Sequence, residues 1–212
     1  MEKKEKTKDK IIRVSTRMFL DYGYSSTSVQ MVCSELKISK GNFTFYFPSK
    51  EDVLVVLTDW LCKFQWKLIN AEIDDGTSSL LAVCCELMVM AAACEGSDVA
   101  KDFFISTYQS PKCLEIIHNN DIARSKKVFA EYCSEWTDEQ FREAEILVAG
   151  IEHATLNAID KTVSLETRIS GALNTIMTIY NVPEEIRKIK IDKVLAMDCH
   201  SLGKRIFKEF KE

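Results

Sequence analysis

Between Ser26 and Lys50 the sequence STSVQMVCSELKISKGNFTFYFPSK gathers side chains suited to reading a nucleic acid. Lys40, Gly41, Asn42 and Thr44 fall within five positions. A lysine can donate to guanine O6 and N7, an asparagine can pair with adenine, and a threonine methyl can meet a thymine methyl. Gly41 suits a place where backbone must lie close to its partner. Gln30, from the preceding stretch, is a further base-reading candidate. Thr27, Ser28, Tyr46 and Lys50 stand where they could grip phosphates, together with backbone N–H groups at a helix start. Taken singly, Lys40 and Asn42 are equally well read as solvated residues of a short helix. The pattern around them is what favours contact.

That pattern is a helix, a tight turn and a second helix. Val29, Val32, Cys33 and Leu36 recur at i, i+3, i+4 and i+7, one apolar helical stripe. Ser26 or Thr27 is the expected N-cap, Lys37-Ile38 the turn, and Ser39 the cap of a short helix reaching about Tyr46. Phe43 and Phe47, four apart, face back onto the first helix. Two helices joined by so short a turn, the second polar outside, form a helix-turn-helix.

The runs DYGYSSTSV, SKGNF and YFPSKED, in that order, resemble the N-terminal DNA-binding domain of the tetracycline-repressor-like (TetR) family over roughly residues 8 to 57. Gly23-Tyr24, Thr27-Ser28, Ser39-Lys40-Gly41 and Phe47-Pro48-Ser49-Lys50-Glu51 carry the likeness. Two positions depart from it. Lys37 stands where the family commonly has glycine, at a cost of about 1 kcal/mol if the turn needs positive φ. Thr44 stands where the family favours a phosphate-touching tyrosine.

The 212 residues, 46% hydrophobic and 28% charged, describe an ordinary globular protein with room for a small and a larger domain. Seven glycines and three prolines favour long helices. The opening MEKKEKTKDK is charged from its second residue, unlike a signal peptide, and residues 1–8 read as a solvated basic arm. The uncharged run from Ile169 to Pro183 is short of the roughly 20 apolar residues that span a bilayer. No membrane association is expected, and a cytoplasmic location is. Residues 1–50 hold ten lysines and arginines against five acids, and the remainder 18 against 27. A basic head on an acidic body suits a nucleic-acid binder with a separate regulatory part.

Eight cysteines invite a metal or redox reading, but no spacing matches a zinc or C-x-x-C site. Buried structural thiols are expected, with a thiol- or metal-responsive sensor as the alternative function. No nucleophile–base arrangement or Gly-rich phosphate loop marks an enzyme, and no cofactor is expected.

The predicted fold is all-α. Residues 1–50 form the three-helix DNA-binding domain, a bridging helix covers about 50–74, and residues 51–212 form a helical ligand-binding and dimerisation domain. After a break at Asp75-Gly76 come a helix from about Ser78 to Cys94, apolar nearly all round, and further helices from about Val99 to Gln109 and from Pro111 to about Glu135. Helices at 137–161 and 164–180 and one last helix from Pro183 to about Phe210 bring the total to ten. The bridging helix is the expected mechanical link between the halves.

A single reading helix makes few contacts, so a homodimer on a two-fold operator in double-stranded DNA is expected. Phe141, Ala144, Val148, Ile151, Thr155 and Ala158 on one helix are the interface candidates, with Ile169, Leu173, Ile176, Met177 and Tyr180 on the next. The competing reading for these faces is intrachain core. The resemblance implies a repressor, an inducer pocket in the second domain, and a ligand-driven swing of the fourth helix that changes the spacing of two reading heads. Candidates for pocket lining are Trp60, Phe64, Met88, Phe104 and Tyr108, followed by His118, Phe129, Tyr132, Trp136 and His153.

Overall fold

Apolar residues every three to four positions bury one side of the first helix, α1 (Thr7–Tyr22), with Ile11, Phe19 and Ile12 innermost. Tyr22, at the end of the helix, is 57% exposed. The structure is a computed structural model and describes residues 6–73, 79–160 and 162–211. Gly23 ends α1 at φ +95°, a conformation that favours glycine. A Cβ there would also lie 2.9 Å from an Asp102 carboxylate oxygen.

Ser28, one residue beyond the expected cap, accepts the Met31 amide and opens α2 (Val29–Leu36). Val32 and Cys33 are buried, and Val29 and Leu36 pack at the rim. Lys37 closes α2 in the left-handed region at φ 53°, so the turn does carry its non-glycine strain. Ser39 accepts the Asn42 amide and opens α3 (Lys40–Tyr46). Phe43 and Phe47 plug the three-helix core at 0% and 3% exposure. Ser49 and Asp52 then form a reciprocal capping box for α4 (Lys50–Glu72), with Glu51 and Asp52 in its positive first turn.

The next helix, α5 (Ser79–Gly96), is apolar nearly all round and central, touching α4 on one side. By length and composition it is apolar enough to cross a membrane, yet 72% of it is buried within the helical core. Ser97 caps α6 (Asp98–Gln109), and Ser110 caps α7 (Pro111–Val128), with proline at the first helical position. A Thr137–Gln140 capping box starts α8 (Asp138–Leu156), and Ser164 caps α9 (Leu165–Ile179). The chain continues through α10 (Glu184–Leu195) and α11 (Cys199–Lys211). Besides α4, the helices α6, α8, α9, α10 and α11 all pack on α5.

Among the described residues there are eleven helices and no strand. Three boundaries differ from expectation. The helix from Pro111 stops at Val128, where Phe129 turns inward to stack on Tyr180, ring centroids 3.9 Å apart. The last helix is two, because Asp198 accepts the Ser201 amide and starts a new helix that lies along α5. Gly203 allows that approach: a Cβ there would come within 3.3 Å of the Val89 carbonyl. The predicted break at Asp75-Gly76 and the helix start at Ser78 lie outside the described residues, whereas α8, expected to reach about Lys161, already stops at Leu156, where the Asn157 amide caps it by donating to the His153 carbonyl.

The bridging helix is not the sole mechanical link. Helix α1 also packs against α6 and α11. The Ser25 amide donates to Asp102 at 2.8 Å, Ser110 donates to Glu51 at 2.6 Å, and Lys112 pairs with Asp52 at 2.7 Å.

Candidate nucleic-acid interface and inner cavity

Because Phe43 and Phe47 anchor one side of α3, the other side is left outward. Lys40, Gly41, Asn42 and Thr44 are all exposed there, as are Ser28 and Gln30 at the start of α2. The Thr44 hydroxyl donates back to the Gly41 carbonyl, while Ser28 keeps its own O–H free to donate after capping α2. Tyr46 is 36% exposed, its ring edge-on to Phe45.

Two of the phosphate candidates are spent inside the domain. Thr27 is 1% exposed, and its hydroxyl donates to the Gly23 carbonyl at 2.8 Å. The Lys50 ammonium donates to the Tyr24 and Thr27 carbonyls at 2.8 and 3.0 Å and sits 4.2 Å from the Tyr24 ring centre. Burial pushes its pKa down. Both side chains hold the α1–α2 corner in place, so they position the reading surface rather than offer a donor to it.

The sequence reading passed over Phe45, which is 81% exposed. The available signal was its register: with Phe43 and Phe47 inward at i and i+4, the residue between them must point away.

Within the larger domain a cavity of about 30 Å³ lies between α4, α5, α6, α7 and α8. Of the ten pocket candidates, Phe104 and Tyr108 line it, and His153 stacks on Tyr108 at 6.0 Å. Its other walls include Leu61, Cys62, Gln65, Met90 and Ile117. Charged groups that the sequence reading missed complete it. Glu86 accepts from Gln65 at 2.5 Å and from Arg124 at 2.7 Å. Arg124 also pairs with Asp121 and lies 4.5 Å from the Trp66 ring centre. Tyr108 donates to Glu152 at 2.8 Å.

Desolvation, reinforced by Glu86, pushes the Asp121 carboxyl up to about 7 against the pull of Arg124. Glu152 is likewise pushed well above the ordinary carboxylate range by its burial. Glu86 was the findable one, the lone charge in the run LLAVCCELMVMAAAC.

The other pocket candidates lie elsewhere. Trp60 and Phe64 line an outer groove beside Phe210, and Met88 is core on another side of α5. Phe129 and Trp136 join Tyr180 and Phe141 in an aromatic cluster. Tyr132 packs at the core edge, and half-buried His118 is not on the cavity wall.

The dimer candidates are corrected by burial. Phe141, Ala144, Val148 and Thr155 of α8 are buried within the chain itself, and Ile151 and Ala158 are half-buried. Ile169, Leu173, Ile176, Met177 and Tyr180 are likewise interior. The helical period is as predicted, but the stripe it selects faces the chain's own core. The apolar residues left outside on α8 are Ile146 and Leu147, 63% and 53% exposed, followed by Gly150 and Ala154. Beside them α9 exposes Gly171, Asn174, Thr175 and Thr178.

All eight cysteines are free, seven of them buried. Burial pushes Cys84 and Cys94 up to about 12, so those thiols stay protonated and poorly reactive near neutrality. Among the described residues no cluster of histidine, cysteine or carboxylate is arranged to hold a metal.

Comparison with known proteins bears on this geometry. Residues 11–57 match the family model described as bacterial regulatory proteins, tetR family. Sixty residues are 47% identical to the HTH-type transcriptional regulator YuxN of Bacillus subtilis (strain 168), covering 28% of this chain and 20% of YuxN. Over 110 residues the chain is 26% identical to the HTH-type transcriptional regulator HbdR of Aromatoleum sp. (strain CIB), covering 52% of this chain and 47% of HbdR. The matches therefore span between a fifth and a half of these relatives. In fold, the chain resembles Thermus thermophilus FadR, a TetR-family transcriptional repressor solved in complex with lauroyl-CoA. The TM-score is 0.59 at 16% identity, over 84% of this chain and 96% of that one. The helix-turn-helix geometry and the match over residues 11–57 agree, so the head of this chain is similar to that of the tetR family of bacterial regulatory proteins, and its helical body shares the fold of FadR.

Proposed function

We propose that the protein is a cytoplasmic, dimeric transcriptional repressor that binds a two-fold DNA operator and is released by a small molecule held in its larger domain. The observation that carries this reading is the outward row of Lys40, Gly41, Asn42 and Thr44 on a helix whose opposite side is anchored by Phe43 and Phe47. Lys40 and Asn42 read base edges, with Thr44 and Gln30 beside them; Ser28, Tyr46 and the first amides of α2 meet phosphates. Residues 1–50 form the reading domain, and the rest of the chain carries pairing and ligand binding.

A second copy covers the outer face of α8 and α9, where Ile146, Leu147 and Gly150 stand beside Gly171 and Thr175. The small residues permit close helix approach, and the two aliphatic side chains gain burial. The ligand site is the cavity between α4 and α8. FadR of Thermus thermophilus was solved with lauroyl-CoA. Here a volume of about 30 Å³ is the room of roughly one water, and Glu86, Asp121, Arg124 and Glu152 line it. A small polar ligand suits that lining better than an acyl chain.

Fluorescence anisotropy of the purified protein on DNA upstream of its own gene tests the reading. Binding is expected at low salt, with affinity falling steeply as salt rises. Failure to bind that DNA, or any duplex from a random pool, overturns it.

A further inference from the structure

Phe45 is the most exposed large apolar side chain described on the first four helices. Its neighbours in sequence behave differently: Phe43 and Phe47 are interior. Among the described aromatic residues Tyr46 meets the Phe45 ring, edge-on at 5.0 Å and 89°, a contact that steadies the ring without covering it. On α3, Phe45 lies four residues from Gly41 and three from Asn42, so it shares the base-reading face.

Gly41 adds an independent observation. A Cβ there would meet only the Ser39 hydroxyl, at 3.8 Å, so the chain's own packing does not call for glycine. The bare backbone leaves a shallow notch beside the ring, facing outward. A notch flanked by an apolar ring suits a surface that comes close and carries something apolar. On the major-groove edges of DNA that feature is the C5-methyl group of thymine. Phosphates and sugars are met by lysines and hydroxyls at less cost to solvation than by a bare phenyl ring.

We infer that Phe45 is a specificity-determining residue that packs on a thymine methyl in each operator half-site, so that the protein tells thymine from cytosine without a hydrogen bond. The inference rests on the repressor reading above and adds to it a named reader and a named base. Lys40 and Asn42 supply donors to purines, and Phe45 supplies an apolar reader for a pyrimidine.

The experiment uses the full chain. A duplex selected from a random pool is resynthesised with deoxyuridine in place of thymidine, one position at a time, which removes one methyl and leaves every hydrogen-bonding group unchanged. The wild type is expected to lose about fourfold in affinity at one position per half-site, the change that burial of a single methyl predicts. Phe45→Ala should bind the thymidine duplex more weakly and should not distinguish it from the deoxyuridine duplex. Since the side chain is exposed, a thermal melt of the variant should match the wild type.

The inference is overturned if no position is sensitive to methyl removal, or if Phe45→Ala keeps the sensitivity. It is also overturned if Phe45→Ala weakens random-sequence DNA as much as the selected duplex, which would place the ring on the sugar–phosphate backbone. Selection of no duplex at all overturns the repressor reading itself, a result separate from each of these.

Discussion

Gly41 and Thr27 show how single residues divide between building the reading surface and forming it. Gly41 is open on its outer side, so Gly41→Ala should leave the fold intact and stabilise it by about 0.5–1 kcal/mol through helix propensity. The added methyl should hold α3 away from DNA and weaken binding. Thermal melting and anisotropy on the same preparation check both halves, and a variant that binds as tightly as wild type would refute a close approach. Thr27 lies on the other side of that division. Its type and place suggested a phosphate contact, but a hydroxyl that can reach carbonyls in its own chain satisfies them first when it is buried. Sequence gives the side chain's chemistry and spacing. Which partner it meets depends on the α1–α2 corner, which brings Gly23 and Lys50 beside it.

Helices and their caps were largely readable because each has a local cause. Ser39, Ser49, Ser97, Ser110, Thr137 and Ser164 all cap where a hydroxyl precedes an apolar period. Two of the missed boundaries had tertiary causes, the Phe129–Tyr180 stack and the turning of α11 onto α5. The dimer stripe failed for a related reason: periodicity finds an apolar face but does not say which body covers it. The cavity charges were hidden more deeply, since Glu86, Asp121, Arg124 and Glu152 come from four different positions in the sequence and three helices.

Those charges carry a pH signature. Asp121 holds its proton up to about pH 7 when folded, but only up to about 4 when unfolded. The folded chain therefore binds more protons between those values, and stability should fall as pH rises from about 4 to about 7. Between pH 5 and pH 8 the loss from this group is about 2–3 kcal/mol. Asp121→Asn should flatten that part of the profile, as read by urea midpoints at the two pH values. An unchanged slope would assign the titration to another group.

At the scale of the whole molecule, pairing and signalling make separate demands. Leu147→Glu, placed on the exposed side of α8, should leave monomer stability within about 0.5 kcal/mol of wild type and abolish pairing. Light scattering should then report a single chain, and affinity for a two-fold duplex should collapse while half-site binding persists. Asp102→Ala addresses the signal. It removes the carboxylate that accepts the Ser25 amide and should cost roughly 1–2 kcal/mol of stability. Any ligand found for the cavity should then shift DNA affinity less than in wild type, while binding the cavity as before. The same Asp102 contact has a mechanical consequence. Helix α6 walls the cavity with Phe104 and Tyr108 and, through Asp102, holds the loop that leads into α2, while α4 holds the head at a second point. A body held at several places turns about the grips that stay fixed when one of them is pushed. Under the function proposed above, a guest molecule in the cavity should deliver torque to the head, a change of tilt in the groove more than a change of distance along it.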